Sequence, residues 1–367
     1  MLLESQIAAR AKEIHTDGYP MSIGEVLSLY KDGDIDVHPE FQRIFRWNES
    51  QKSSLIESIL LGIPIPPIFV SQRADGIWDI IDGVQRLSTI FEFVGVYRDH
   101  EDRLISPLVL SSTEYLPALE GYSWEVDSGS GKVFTNAMRR DVKRAKLEFR
   151  IIRKESDENA KYDLFQRLNS GAQLSPQEAR NCLLVMLNSG MYSKVAELSE
   201  SVHFKETIPL SDQKESQAYR QELVLRFFCQ AAFSGSYTEL SVEYGQYLTR
   251  WMRDAASAYG TDLSPIRVDL FSRTFKLLNE VLGEDAFRRF NGTKNLGPFS
   301  IACFEFVTSG VSANIDFWEG HADRLAVRVQ SVWSAPEFRE NSGTGVSPRR
   351  RVPRLVLNSR QYFSTVG

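Results

Sequence analysis

Trp78-Asp-Ile-Ile-Asp82-Gly83-Val84-Gln85-Arg86-Leu-Ser-Thr-Ile-Phe-Glu-Phe-Val94 is the stretch that decides how this chain is read. Trp78 to Ile81 has the character of a short buried strand, and Asp82-Gly83 is turn chemistry. From Leu87 the apolar residues Leu87, Ile90, Phe91 and Val94 recur at helical spacing. A strand that ends in a glycine turn and feeds a helix leaves backbone N–H groups unpaired at the helix start. Those groups and the helix dipole attract anions, phosphate above all. The turn adds a carboxylate, an amide and a guanidinium, which are an acceptor, a two-way hydrogen bonder and a bidentate fork. The same residues suit an ordinary strand-to-helix turn, with Asp82 bonding its own loop and Arg86 on the helix surface. Taken alone, the stretch leaves both readings open.

Working outward, the N-terminal part alternates short strands with helices. Residues 4–14 have an amphipathic helical pattern. Ser22 and Glu25 have capping-box spacing and open a helix to about Lys31. Ile35 to Val37 reads as a strand. Asn48 caps a helix from Glu49 to Leu61, which the prolines at 64, 66 and 67 stop. Ile68–Val70 and Ile77–Ile81 pair across the Ala74-Asp-Gly76 turn. Leu108–Leu110 is a candidate strand, Phe134–Ala145 a basic helix and Leu147–Ile152 a further strand. Beyond Arg153 the patterns are almost wholly helical: 158–168, then a start at Ser175-Pro176-Gln-Glu178, then about 212–234, 238–259, 264–282 and 298–310. Asn341 to Val352, rich in Gly, Ser, Pro and Arg, reads as a loop. The expected fold class is α+β, with an α+β domain over residues 1–155 and an α-helical domain over 156–367.

Composition narrows the function classes. The chain has 367 residues, 42% hydrophobic and 25% charged, as expected of a globular protein with two cores. No apolar run reaches membrane-spanning length and no secretory leader is visible, so no membrane partner and a cytoplasmic location are expected. Cys182, Cys229 and Cys303 are far apart in apolar surroundings, which suits reduced core thiols. A net charge of −5 argues against a polyanion-coating protein, but Lys132 to Lys154 holds nine Lys or Arg. Within that run Arg139, Arg140, Lys143 and Arg144 are the candidate DNA contacts, and Arg349-Arg350-Arg351 with Arg354 forms a second basic cluster. No Walker-type phosphate loop, no nucleophile elbow and no Cys/His pairing is present.

Three blocks in order carry a resemblance. Phe41-Gln42-Arg43 with Trp47, then Leu55-Ile56-Glu57-Ser58-Ile59 with Gly62-Ile-Pro-Ile-Pro, then Ile81-Asp82-Gly83-Val84-Gln85-Arg86-Leu87-Ser88-Thr89 resemble the GmrSD-type N-terminal domain family. Phe165-Gln-Arg167-Leu-Asn169-Ser-Gly171 is similar to that family's next block, so the resemblance covers about residues 20–185. It implies a ParB/sulfiredoxin-like fold and a place in bacterial genome defence. By the family's Asp-Gly-Gln-Gln-Arg motif, it also implies nucleoside triphosphate binding with Mg²⁺, and hydrolysis. Asp82, Gln85 and Arg86 are then the candidate catalytic residues. Gln42, Arg43, Arg46, Gly83, Arg167 and Asn169 are the candidate nucleotide-binding residues, in a pocket walled by both domains.

Two departures matter. Val84 stands where the motif has its first glutamine, so that amide is absent. The His-centred nuclease motif of larger members has no counterpart after residue 190, where His203 and His321 stand alone. The expected function is therefore a nucleotide-binding, NTP-hydrolysing component of a defence system without its own HNH nuclease. The alternative is a non-catalytic sensor or regulatory subunit that binds DNA or a toxin-like partner protein. Nuclease activity from the pocket itself is the third and weakest reading.

Overall fold

The computed structural model describes residues 3–4, 15–37, 47–99, 102–125, 131–156, 175–211, 214–215, 217–235, 239–343 and 345–364. The chain divides into two compact units, Met1–Gln173 and Leu174–Gly367. The first is α+β and the second is mainly helical.

Unit 1 is built on a five-stranded mixed sheet. Its strands are β1 (Thr16–Ser22), β2 (Ile35–Asp36), β3 (Ile68–Gln72), β4 (Trp78–Asp82) and, after the small parallel pair β5 (Tyr122–Ser123) and β6 (Lys132–Val133), β7 (Lys146–Ile152). The order across the sheet is β1-β7-β3-β4-β2. β1 runs antiparallel to β7, β7 parallel to β3, β3 antiparallel to β4 and β4 parallel to β2. β7 alternates between the exposed Lys146, Glu148 and Arg150 and the buried Leu147, Phe149 and Ile151, so one face of the sheet lies on the core.

The helices of unit 1 are α1 (Ile23–Asp32), α2 (Glu49–Leu61), α3 (Val84–Val94) and α4 (Asn136–Arg144). Their starts follow from capping chemistry. The Ser22 hydroxyl accepts from Glu25 N, and Asn48 forms a full capping box with Gln51. Gly33 and Gly62 close α1 and α2 in the left-handed conformation. α3 is the most buried of the four, with Leu87, Ile90, Phe91 and Phe93 at 0–1% exposure. Phe91 stacks on Tyr30 of α1 at 4.2 Å, and Phe93 meets Trp124 and Phe134 edge-on.

Unit 2 contains α5 (Pro176–Leu187), α6 (Ser189–Ser199), α7 (Val202–Thr207), α8 (Tyr219–Ala231), α9 (Tyr244–Ala258), α10 (Val268–Leu282), α11 (Ile301–Ala313), α12 (Ile315–Glu319), α13 (Ala322–Ser331), α14 (Pro336–Ser342) and α15 (Pro348–Tyr362). α11 is its central helix, with Phe304, Phe306, Val307 and Val311 fully buried. Gly310 lets α11 approach α15 closely: a Cβ there would lie 2.2 Å from the Phe363 ring and 2.7 Å from Ser359 O.

Several readings of the sequence are corrected. Leu108–Leu110 is not a strand; Leu110 instead exchanges single backbone bonds with Gly121 and Tyr122. Asn341–Val352 is not a continuous loop, because Ser347 and Pro348 start α15 and place Arg349, Arg350 and Arg351 on its first turn. β1 has no strand-like signal in the sequence, since Gly18 and Pro20 give it the composition of a turn. The helical readings at 4–14 and 158–168 fall almost wholly outside the described residues. Among the described residues no helix is long and apolar enough to cross a membrane, and the three cysteines are free and buried.

Candidate functional site

The Asp82–Arg86 turn leaves the sheet at the end of β4. Gly83 has φ +102°, a region that favours glycine, and a Cβ there would stand 2.4 Å from Ile68 Cδ1. The turn therefore packs directly on the start of β3. α3 begins with no side-chain cap and no acidic residue in its first turn. A helix start without a side-chain cap carries the positive end of the helix dipole, and here the Asp82 carboxylate stands just ahead of it.

Asp82 and Arg86 face each other across one helical turn. Arg86 Nη2 donates to Asp82 Oδ2 at 2.7 Å. Arg86 Nη1 donates to Pro67 O at 3.1 Å and also to Pro66 O. The Arg86 side chain is only 11% exposed, whereas that of Asp82 is 36% exposed. Both terminal nitrogens of the fork are thus engaged, and the arginine ties the proline-rich stretch before β3 to the start of α3. Asp82 Oδ1 accepts no hydrogen bond among the described residues.

Gln85 reaches in a different direction. Its Oε1 accepts from the backbone N–H of Trp47 at 3.2 Å, just ahead of the Asn48 cap of α2. Val84, where the motif has its first glutamine, is 6% exposed and part of the core. An apolar residue is what that position accommodates.

The Leu55–Ile59 block also has a physical account. Glu57 is 5% exposed on α2, and its Oε1 accepts from Tyr115 N at 2.9 Å and Leu116 N at 2.7 Å. Ser53, one turn earlier, accepts from Ser111 N at 2.9 Å. α2 thus holds the irregular 111–116 segment through buried side-chain oxygens, and Lys52 adds an ion pair to Glu92 of α3 at 2.6 Å. A carboxylate inside an apolar run was the sequence signal for this role.

Gln42, Arg43, Arg46, Arg167 and Asn169 lie outside the described residues. Trp47, the next residue after Arg46, is tied to the first turn of α3 by Gln85. On the basic helix α4, Arg140, Lys143 and Arg144 are exposed, make no ion pair among the described residues, and share a face at i, i+3, i+4 spacing. Arg139 differs, because it is half-buried and pairs with Glu125 at 3.2 Å. In the second basic cluster Arg349 and Arg350 share Glu239, and Arg351 pairs with Glu305. Among the described residues no group of three His, Cys, Asp or Glu is placed to hold a metal. His203 Nδ1 lies 3.1 Å from the Asn279 amide and His321 Nδ1 lies 2.8 Å from Phe317 O.

Residues 23–185 match the family described as "GmrSD restriction endonuclease, N-terminal domain". No curated protein and no solved structure matches the chain. The matched span contains the Asp82–Arg86 turn, the Glu57 staple and the basic helix α4. The match supports a GmrSD-type N-terminal domain over residues 23–185.

Proposed function

We propose that this chain is the nucleotide-binding component of a restriction-type defence system, built on a ParB/sulfiredoxin-like domain. The observation that carries this reading is the uncapped start of α3 behind the buried Gly83 turn, with a half-exposed Asp82 carboxylate beside it. Phosphate oxygens accept from the leading N–H groups of α3, and the Gly83 backbone permits their close approach. Mg²⁺ is commonly held by one or two carboxylates together with phosphate oxygens. Asp82 Oδ1 suits that share of the work, and when bound the ion would offset phosphate charge and polarise the scissile linkage. Gln42, Arg43, Arg46, Arg167 and Asn169 are assigned to the rest of the pocket by the family resemblance. The engaged fork of Arg86 fits best as the part that holds Asp82 and the proline stretch in place.

The test is a phosphate-release panel with ATP, GTP, CTP and UTP, with and without DNA, on the wild type beside Asp82→Ala. Release by the wild type that Asp82→Ala abolishes supports hydrolysis at the turn. Release that survives in Asp82→Ala sinks it.

A second reading has its own observation. The three free cations on one face of α4 favour a sensor or regulatory subunit that contacts the DNA backbone, with nucleotide as a ligand only. Specific DNA binding without nucleotide turnover would select this reading. A partner effector protein of the same system is compatible with either.

A further inference from the structure

We infer that the outer face of β7 continues the cationic surface of α4, so that Lys146 and Arg150 hold the phosphate backbone of duplex DNA together with Arg140, Lys143 and Arg144. This rests on the DNA reading above and deepens it, since it carries the contact from one helix onto the sheet. β7 alternates up to Ile151, and Lys146, Glu148 and Arg150 are its exposed residues. The side chains of all five cations are exposed and make no hydrogen bond or ion pair among the described residues.

The two elements meet at the start of α1. A Cβ on Gly24 would lie 3.3 Å from Lys143 O and 3.8 Å from Lys143 Cβ, so α4 packs against that start. Ile23 N donates to Ala145 O at 2.9 Å, and Lys146 is the register partner of Ser22. Lys143 and Lys146 thus stand beside the same stretch, Ser22 to Gly24. Farther along the sheet, Arg150 is the partner of Gly18, and its Cδ and Nη1 lie 3.0 Å and 3.1 Å from where a Gly18 Cβ would be. The β1 residues paired with Lys146, Glu148 and Arg150 are Ser22, Pro20 and Gly18, and none has a side chain long enough to screen a cation. α4 by itself offers cations over about 6 Å of helix axis, and Lys146 to Arg150 adds about 13 Å of strand. From Arg140 to Arg150 these five cations face two carboxylates, Asp141 and Glu148. Unpaired cations in line on rigid elements suit a regularly charged phosphate backbone. Glu148 lies between Lys146 and Arg150 and opposes that contact, so its neutralisation is expected to strengthen binding.

Binding of the full chain to a short duplex DNA of mixed sequence, measured across a range of salt concentrations, decides the matter. Lys146→Gln and Arg150→Gln each remove one charge and keep a polar side chain. Each is expected to lower the slope of log affinity against log salt by about 0.9, the share of one phosphate. Lys31→Gln changes an exposed lysine in the last turn of α1 and is expected to leave the slope at its wild-type value. Glu148→Gln is expected to raise affinity at low salt by about threefold, a gain that loss of folding cannot produce. Wild-type slopes in both β7 variants, with a lowered slope in the Arg140, Lys143 and Arg144 triple variant, overturn the inference and leave α4 as the contact. An equal fall in Lys31→Gln overturns it too, because net charge alone would then be acting. A wild type that binds no duplex at low salt overturns the DNA reading together with it. Polyglutamate that binds the wild type more tightly than the duplex at equal salt overturns the choice of partner and assigns the surface to an acidic protein segment.

Discussion

Gly83 combines a left-handed backbone with a packing position that leaves no room for a side chain. Alanine there would carry both the conformational cost and the clash with Ile68, about 1–3 kcal/mol for the backbone alone. Urea unfolding of Gly83→Ala is expected to show at least that loss, and a change under about 0.5 kcal/mol would count against the turn geometry. Arg86 is expected to behave as a clamp as well. Charge-assisted hydrogen bonds are worth about 1.5–3 kcal/mol, so Arg86→Ala should lower the melting temperature measurably while Arg86→Lys recovers part of it. An Arg86→Ala protein as stable as wild type would contradict that role. At this level the sequence was informative about which residues matter and silent about what they touch. Asp82, Gly83, Gln85 and Arg86 are visible as a motif, but Arg86 meets Pro66 and Pro67 some twenty positions upstream and Gln85 meets Trp47. Local spacing encodes neither interaction. Val84 read as a missing amide; its burial shows that the position belongs to the core.

Helix starts were the most legible elements, because capping is local chemistry: Asn48 and Ser175 each form a capping box, and Ser22 caps through its hydroxyl alone. β1 was hidden because an exposed edge strand needs no apolar alternation. α15 was hidden because the Gly, Ser and Arg around Ser347-Pro348 resemble a linker. The least visible feature was the buried ion chain of unit 2. Arg180 reaches Glu222 at 2.5 Å, and Arg226 bridges Glu222 at 2.8 Å and Glu305 at 2.9 Å. Arg351 binds Glu305 at 2.9 Å, which links α5, α8, α11 and α15. Glu305 is fully buried, so removing it leaves two arginines without their shared carboxylate. Breaking such a pair costs about 3–5 kcal/mol, and Glu305→Ala is expected to lose that much in denaturant unfolding. A loss below about 1 kcal/mol would mean that water replaces the carboxylate. Glu222 supplies the pH dependence. Burial pushes its carboxyl up, but Arg226 and Arg180 outweigh this and hold it below its ordinary 4.5. The stabilisation it gives is therefore full above that ordinary value and is lost as pH falls through the lowered one. Glu222→Gln should flatten the acid limb of the stability curve below pH 4.5, and an unchanged limb would contradict the pairing.

For the whole chain, the family match covers residues 23–185, and the proposed chemistry rests on that span. The contribution of α4 to polyanion binding is separable from the pocket by its salt dependence. Neutralising Arg140, Lys143 and Arg144 together should lower the slope of log affinity against log salt by about 0.9 for each phosphate that these side chains neutralise. Affinity for duplex DNA that is indifferent to the triple variant would exclude α4 as the binding surface.

The most direct measurement for the central claim is the equilibrium affinity of the full chain for the four nucleoside triphosphates, with Mg²⁺ and with EDTA, in wild type and Asp82→Ala. Binding at the Asp82–Gly83 turn requires Mg²⁺-dependent affinity for at least one of the four, and Asp82→Ala should abolish the Mg²⁺ dependence while keeping the fold. No binding by the wild type, or Mg²⁺-dependent binding that Asp82→Ala leaves intact, would contradict it.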